Sequence, residues 1–161
     1  MPDERSNGSA AVASSQGVPP PLLYLAAIAI GVVLDLAFPL PVLPAGAALA
    51  TGAVVLAVGL ALMTWAERTM ERDGEGVRPD RSTSVIVDGG PYYLSRNPIY
   101  VAFTLIAVGV ALLVNSGWGL ASAAIAVATV HFATVLVEER YLRAHIGDEY
   151  ARYTDRVRRW L

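Results

Sequence analysis

The chain has 161 residues, 55% of them hydrophobic and only 16% charged, with a formal net charge of −2. That balance is too apolar for an ordinary globular core and points to a membrane protein of one domain. There is no Cys, no Lys and only two His, which excludes disulfides, thiolate metal sites, cysteine nucleophiles and any Schiff-base or phosphate-loop lysine; no metal and no nucleic-acid partner are expected.

Residues 1–18 are rich in Ser, Ala and Gly and read as a disordered tail. Their acidic start, Asp3 and Glu4, is unlike a signal peptide. A single membrane domain is expected over 19–161. Its first apolar run is residues 21–40, about the twenty residues that cross a hydrocarbon layer of ~30 Å. Asp35 is the one charge in that run. It lies near the end of the span, and no basic residue stands in another span, so it reads as a carboxylate reaching the interface rather than an ion site.

Pro41 to Pro44 form a charge-free turn, and residues 45–66 a second span. Gly46, Gly52 and Gly59 are small residues that let helices approach closely in lipid, and Trp65 suits the headgroup level. Residues 67–97 are a polar loop. Glu67 to Asp73 still favour helix, and Gly74, Gly76 and Pro79 stop it. Ser82 to Val87 look extended and lead into Gly89-Gly90-Pro91-Tyr92-Tyr93-Leu94-Ser95-Arg96-Asn97-Pro98-Ile99-Tyr100, a rigid polar turn between a charged segment and an apolar one.

The third span is residues 99–114, with Pro98 in its first turn, where a missing N–H costs nothing. Asn115 to Trp118 make a second charge-free turn, and residues 119–137 the fourth span. The tail, 138–161, has Tyr141, Leu142, Ile146, Tyr150, Tyr153 and Val157 at helical spacing, with Gly147 as a divider between two helices. The fold class is therefore all-α: a polytopic membrane protein with four transmembrane helices and cytoplasmic C-terminal helices.

The arginines set the topology. Five lie in 67–97, six in the tail and one at Arg5, and none in the two short turns. The positive-inside rule then puts both termini and the long loop in the cytoplasm. The tail's arginines read as anchors to anionic membrane lipid, and Asp148, Glu149 and Asp155 as a solvated face.

Two polar constellations converge on that side. Spans three and four are joined by a short turn, so they form an antiparallel hairpin that returns the chain to its starting depth. Arg96, Asn97 and Tyr100 should then lie near Glu138 and Glu139. Arg96 offers a planar fork for a carboxylate or phosphate, and Glu138 can accept from an ammonium or from ribose hydroxyls. Tyrosine faces can stack on a base. A zwitterionic nucleotide cofactor suits all three; an interfacial ion pair fixing the hairpin suits them as well. His131, seven residues before Glu138, should share its helix face, as a substrate contact, a base or a packed histidine.

These motifs resemble a family. In order they are Gly90-Pro91-Tyr92, Ser95-Arg96-Asn97-Pro98-Ile99-Tyr100, an apolar hairpin, Glu138-Glu139-x-x-Leu142, and Ile146-Gly147-Asp148-Glu149-Tyr150-x-x-Tyr153. The chain is similar over residues 80–160 to the isoprenylcysteine carboxyl methyltransferases and their bacterial relatives, with phospholipid methyltransferases as cousins. The resemblance implies S-adenosylmethionine as cofactor, bound on the cytoplasmic side of a bacterial-type cytoplasmic membrane and partly enclosed by the tail, with a lipophilic small-molecule or lipid substrate entering from the bilayer. By position it gives as cofactor contacts Ser84, Val85, Ile86 and Val87, then Tyr92, then Asn97, Pro98, Ile99 and Tyr100, and Glu138. Two departures stand out. The family's His after the Arg is Asn97 here, which can bond a ligand but carries no charge and shuttles no proton. The eukaryotic enzymes' substrate-linked Arg, four residues before the first Glu, is Thr134.

The expected function is methyl transfer by in-line displacement at a sulfonium methyl, which needs positioning and desolvation more than acid–base groups. Arg96 would orient the cofactor carboxylate or the substrate. An amine or hydroxyl acceptor would need a base, with Glu139 and His131 as the candidates. The rival expectations are an NADPH-dependent membrane reductase of related architecture and a non-enzymatic small membrane protein.

Overall fold

In the computed structural model, the described residues are 18–74, 87 and 89–161. Among them every regular element is helical. Helix α1 is Pro20–Ala37 and α2 is Ala45–Gly74. A 3-10 turn, Gly90–Tyr93, precedes α3, Pro98–Leu113. Helix α4, Gly117–Val130, passes through a π turn, His131–Val135, into α5, Leu136–Ile146, and α6 is Asp148–Arg156.

Among the described residues, three helical runs are long and apolar enough to cross a membrane: Pro20–Ala37, Ala45–Arg72 and Gly117–Ile146. The last two have 28 and 30 residues, or more than 40 Å at about 1.5 Å per residue, so their charged ends project beyond a ~30 Å hydrocarbon layer. Helix α3 is the shorter apolar one, at 16 residues. It is also the most enclosed, packing against α2, α4 and α1. Its buried residues are Pro98, Val101, Ala102, Ala107, Gly109 and Ala111.

Small residues set how closely these helices meet. A Cβ on Gly52 would lie 2.6 Å from the Leu113 nitrogen, and one on Gly109 would lie 2.6 Å from the Leu56 nitrogen. Helices α2 and α3 therefore touch backbone to backbone, the close approach that packs helices in lipid. Gly59 takes part in the same contact, against Ile106, whereas Gly46 has no neighbour within 4 Å and plays no part in it. Helices α1 and α4 cross in the same way where Gly31 meets Gly119.

One end of the bundle is closed by its two short connections. Asn115, with φ +54, accepts from the Val42 and Leu43 amides at 3.1 and 3.0 Å and donates to the Leu43 carbonyl at 2.8 Å. Trp118 Nε1 donates to the Phe38 carbonyl at 2.8 Å. Ser116 caps α4 by accepting from the Gly119 amide. Asp35 accepts from the Leu40 amide at 3.2 Å, so its carboxylate serves the end of its own helix.

Candidate active site

The opposite end is built on the turn before α3. Gly90, with φ +54, sits against α2, where a Cβ would meet Thr69 Oγ1 at 2.6 Å and Trp65 Nε1 at 3.2 Å. Pro91, Ser95 and Pro98 are fully buried. Pro98 takes the first position of α3, as expected for a residue without an amide hydrogen. The turn is thus rigid, with its prolines inward. Its three tyrosines diverge: Tyr93 is exposed, Tyr92 is buried, and Tyr100 points across to α5.

The hairpin of α3 and α4 brings the two constellations together, as counting residues predicts. Tyr100 donates to both Glu138 carboxylate oxygens, at 3.1 and 3.2 Å. Arg96 Nη1 lies 3.2 Å from Glu139 Oε1. Behind Tyr100, Thr104 donates to the Tyr100 carbonyl at 2.8 Å, so its single proton is used. The Tyr24 hydroxyl, 2.9 Å away, must then donate to Thr104, which ties α1 to the same cluster.

The adjacent glutamates have different surroundings. Glu138 is exposed, and its carboxylate is met by Tyr100. Glu139 is 6% exposed. Arg159 grips it with a two-point fork, Nε to Oε1 at 2.8 Å and Nη2 to Oε2 at 2.9 Å. Burial alone would raise the Glu139 carboxyl, but the Arg159 hydrogen bonds and the charges of Arg96, Arg159 and Arg143 outweigh it and hold the group below the ordinary carboxylate range. A carboxylate held ionised in this way is a poor proton acceptor, and its lone pairs are engaged. Glu139 therefore fits an ion-pair anchor better than a general base.

Arg159 is an exception to the reading of the tail's arginines as lipid anchors, because its guanidinium forks onto Glu139 on α5. Nearby, the Tyr150 hydroxyl is raised by burial and by Glu139, and partly lowered by the adjoining Arg96 and Arg143.

His131 does not join Glu138. The seven-residue spacing assumes an uninterrupted α-helix, and the π turn inserts one residue, rotating the remainder of the helix by roughly 100°. His131 Nδ1 is met instead by Trp160 Nε1, at 3.3 Å. An indole N–H can only donate, so Nδ1 accepts and a neutral ring carries its proton on Nε2. Nothing in the sequence of residues 131–135, which lack Gly and Pro, signals the π turn.

Asn97 is also engaged. Its Nδ2 donates to the Arg159 carbonyl at 3.0 Å, and its amide donates to Ser95 Oγ at 3.1 Å. Ile99 is half-buried in the first turn of α3, as is Val87 ahead of the polar turn. Ser84, Val85 and Ile86 lie outside the described residues.

Among the described residues, three polar atoms at this end are buried without a hydrogen-bond partner in the protein: Tyr92 Oη, Arg96 Nε and Arg96 Nη1. Arg96 Nη1 is within ion-pair distance of Glu139 but not in hydrogen-bonding geometry. The Tyr92 hydroxyl is pushed up to about 12, by burial and then by Glu67 at the end of α2, so it is a neutral donor at physiological pH. Motif reading did not name Arg159, which grips Glu139, or Glu67, an exposed residue in the last part of α2 whose charge reaches Tyr92.

This geometry lies inside a stretch of recognisable ancestry. Residues 47–149 match the phospholipid methyltransferase family. The chain belongs to that family. The match runs from α2 to the start of α6 and includes the polar turn, Tyr100 and both glutamates. This methyltransferase is a membrane protein, given its three spanning-length helices. The matched family is the one that the motifs placed as a cousin of the isoprenylcysteine enzymes. Comparison with curated proteins and with solved structures gives no match.

Proposed function

We propose that the protein is an S-adenosylmethionine-dependent methyltransferase acting on a lipophilic substrate at the cytoplasmic membrane face. One observation carries this reading: buried donors without a hydrogen-bond partner in the protein, Tyr92 Oη and Arg96 Nε, with Arg96 Nη1 only ion-paired to Glu139, occur beside an exposed carboxylate, Glu138, held by Tyr100. A buried donor left unpaired costs about 1–3 kcal/mol, so such groups gathered at one place suit a ligand that pairs them.

The residues present fit the cofactor. Arg96 offers N–H groups to a carboxylate, Tyr92 Oη donates, and Glu138 accepts from hydroxyls or an ammonium. When bound, S-adenosylmethionine supplies a sulfonium methyl open to displacement by a carboxylate, amine or hydroxyl. The protein's own contribution is orientation and exclusion of water. Tyr100 fixes the Glu138 carboxylate, and the buried prolines of the turn fix Arg96 and Tyr92.

In this reading α3 is a fourth span, shortened by its central position, and both termini face the cytoplasm with residues 19–161 as one membrane domain. The partners are membrane lipids and a lipid or lipophilic acceptor. Calorimetry with S-adenosylhomocysteine on the detergent-solubilised protein tests the proposal. Binding in the micromolar range is expected, with none for NADPH. The reverse pattern would replace it with the reductase reading.

A further inference from the structure

The segment after α6 lies beyond the family match, which ends at residue 149. It doubles back over the polar turn. At the root of this segment, Tyr153 in α6 itself donates to the Tyr92 carbonyl at 2.9 Å. The Arg96 amide donates to the Arg158 carbonyl at 2.9 Å. Ser95 Oγ and Asn97 Nδ2 both donate to the Arg159 carbonyl, at 3.3 and 3.0 Å. Trp160 donates to His131 on the π turn.

Besides the direct contacts of Tyr100 with Glu138 and of Arg96 with Glu139, one tail residue joins the two halves of the site. Arg159 gives its carbonyl to the turn, through Ser95 and Asn97, and its guanidinium to α5, through Glu139. Asn97 is next to Arg96, and Glu139 is next to Glu138. The connection is also stiff, because a two-point arginine–carboxylate fork sets an angle as well as a distance. A lysine in its place would keep the charge and lose the angle.

We infer that Arg159 is a positioning residue: it holds the turn carrying Tyr92 and Arg96 at a fixed separation from the helix carrying Glu138. It acts through Asn97 and Glu139. The ligand part of this inference rests on the methyltransferase reading; the clamp itself does not.

The test uses the full-length protein in detergent and the variants Arg159→Gln, Arg159→Lys, Glu139→Gln and the double Arg159→Gln/Glu139→Gln. Hydrogen exchange of the peptide covering Ser95–Asn97 is read first, without ligand. Faster exchange is expected in Arg159→Gln, with Tm close to that of the parent. Next, the affinity for S-adenosylhomocysteine should fall about tenfold, equivalent to one hydrogen-bonded charge contact. The KM for S-adenosylmethionine should rise in step, while kcat at saturation stays within about twofold. Arg159→Lys should recover part of the loss, and the double variant should lose no more than the worse single one, because the two groups act as a unit.

Unchanged exchange at Ser95–Asn97 would overturn the clamp. Faster exchange with unchanged affinity and KM would overturn the positioning role and leave a purely structural tie. If the parent protein binds no S-adenosylhomocysteine, the methyltransferase reading fails, and hydrogen exchange alone decides the clamp.

Discussion

The two ends of this bundle use similar parts and finish differently. At the end closed by residues 38–44 and 114–118, an asparagine and a tryptophan each bond a backbone group across the junction, and a serine caps α4. At the other end, Asn97 bonds a backbone carbonyl in the same way, and Trp160 bonds a side chain, that of His131. There, however, Tyr92 Oη and two Arg96 nitrogens are buried without a hydrogen-bond partner in the protein. The first end is finished by its own chain. The second holds donors that its own chain leaves without a hydrogen bond, and a charge imbalance in which Arg96 and Arg159 converge on the single carboxylate of Glu139. A closed junction and a binding site can thus share a bonding vocabulary, and the remainder tells them apart.

The sharpest way to break the comparison is Glu138→Ala. It should lower S-adenosylhomocysteine affinity about 10- to 100-fold, as expected for an acceptor on a charged or polar ligand group, with little change in Tm because the side chain is exposed. Calorimetry on the variant checks it, and unchanged binding would remove Glu138 from the site.

Asn115→Ala is its opposite at the closed end. Three hydrogen bonds are lost, and a destabilisation of about 1–3 kcal/mol is expected. Thermal unfolding should record it, with ligand affinity unmoved.

Tyr92→Phe gives a smaller effect with two signs. Removing an unpartnered hydroxyl should leave the ligand-free protein as stable as before or about 1 kcal/mol more stable. The same change should weaken S-adenosylhomocysteine binding about three- to tenfold. A loss of stability without a loss of binding would place Tyr92 Oη among the structural groups.

The smallest effect is a pH dependence. The Glu139 carboxyl is lowered in the folded protein from its ordinary 4.5. Its ion pairs therefore contribute fully above pH 4.5, and the contribution is lost as pH falls through the lowered value. Hydrogen-exchange protection of Ser95–Asn97 should be flat from neutrality to about pH 4.5 and decline below it. Glu139→Gln should remove that acid-side decline.

Much of this was legible in the residues. The apolar runs placed the helices, Gly147 divided the tail, and the spacing of the hairpin brought Tyr100 to Glu138 and Arg96 to Glu139. The roles within that cluster were not legible. Two adjacent glutamates look equivalent in a sequence, yet one is open and the other is held by Arg159, because a helix turns about 100° between neighbours. The seven-residue link from His131 to Glu138 failed on the π turn, which no residue announces. The inward turn of Arg159 depends on a contact with a glutamate two helices earlier in the chain.

By itself, the sequence determined the helical class, the membrane character and the side of the bundle where polar chemistry gathers. Those come from hydropathy, length and charge, which act locally along the chain. The tertiary structure decided which donors were used up and which were left over, which glutamate stays exposed, and which tail residue joins the two walls. Those depend on distances of about 3 Å between residues far apart in sequence, where a hydrogen bond is made or lost within a fraction of an ångström.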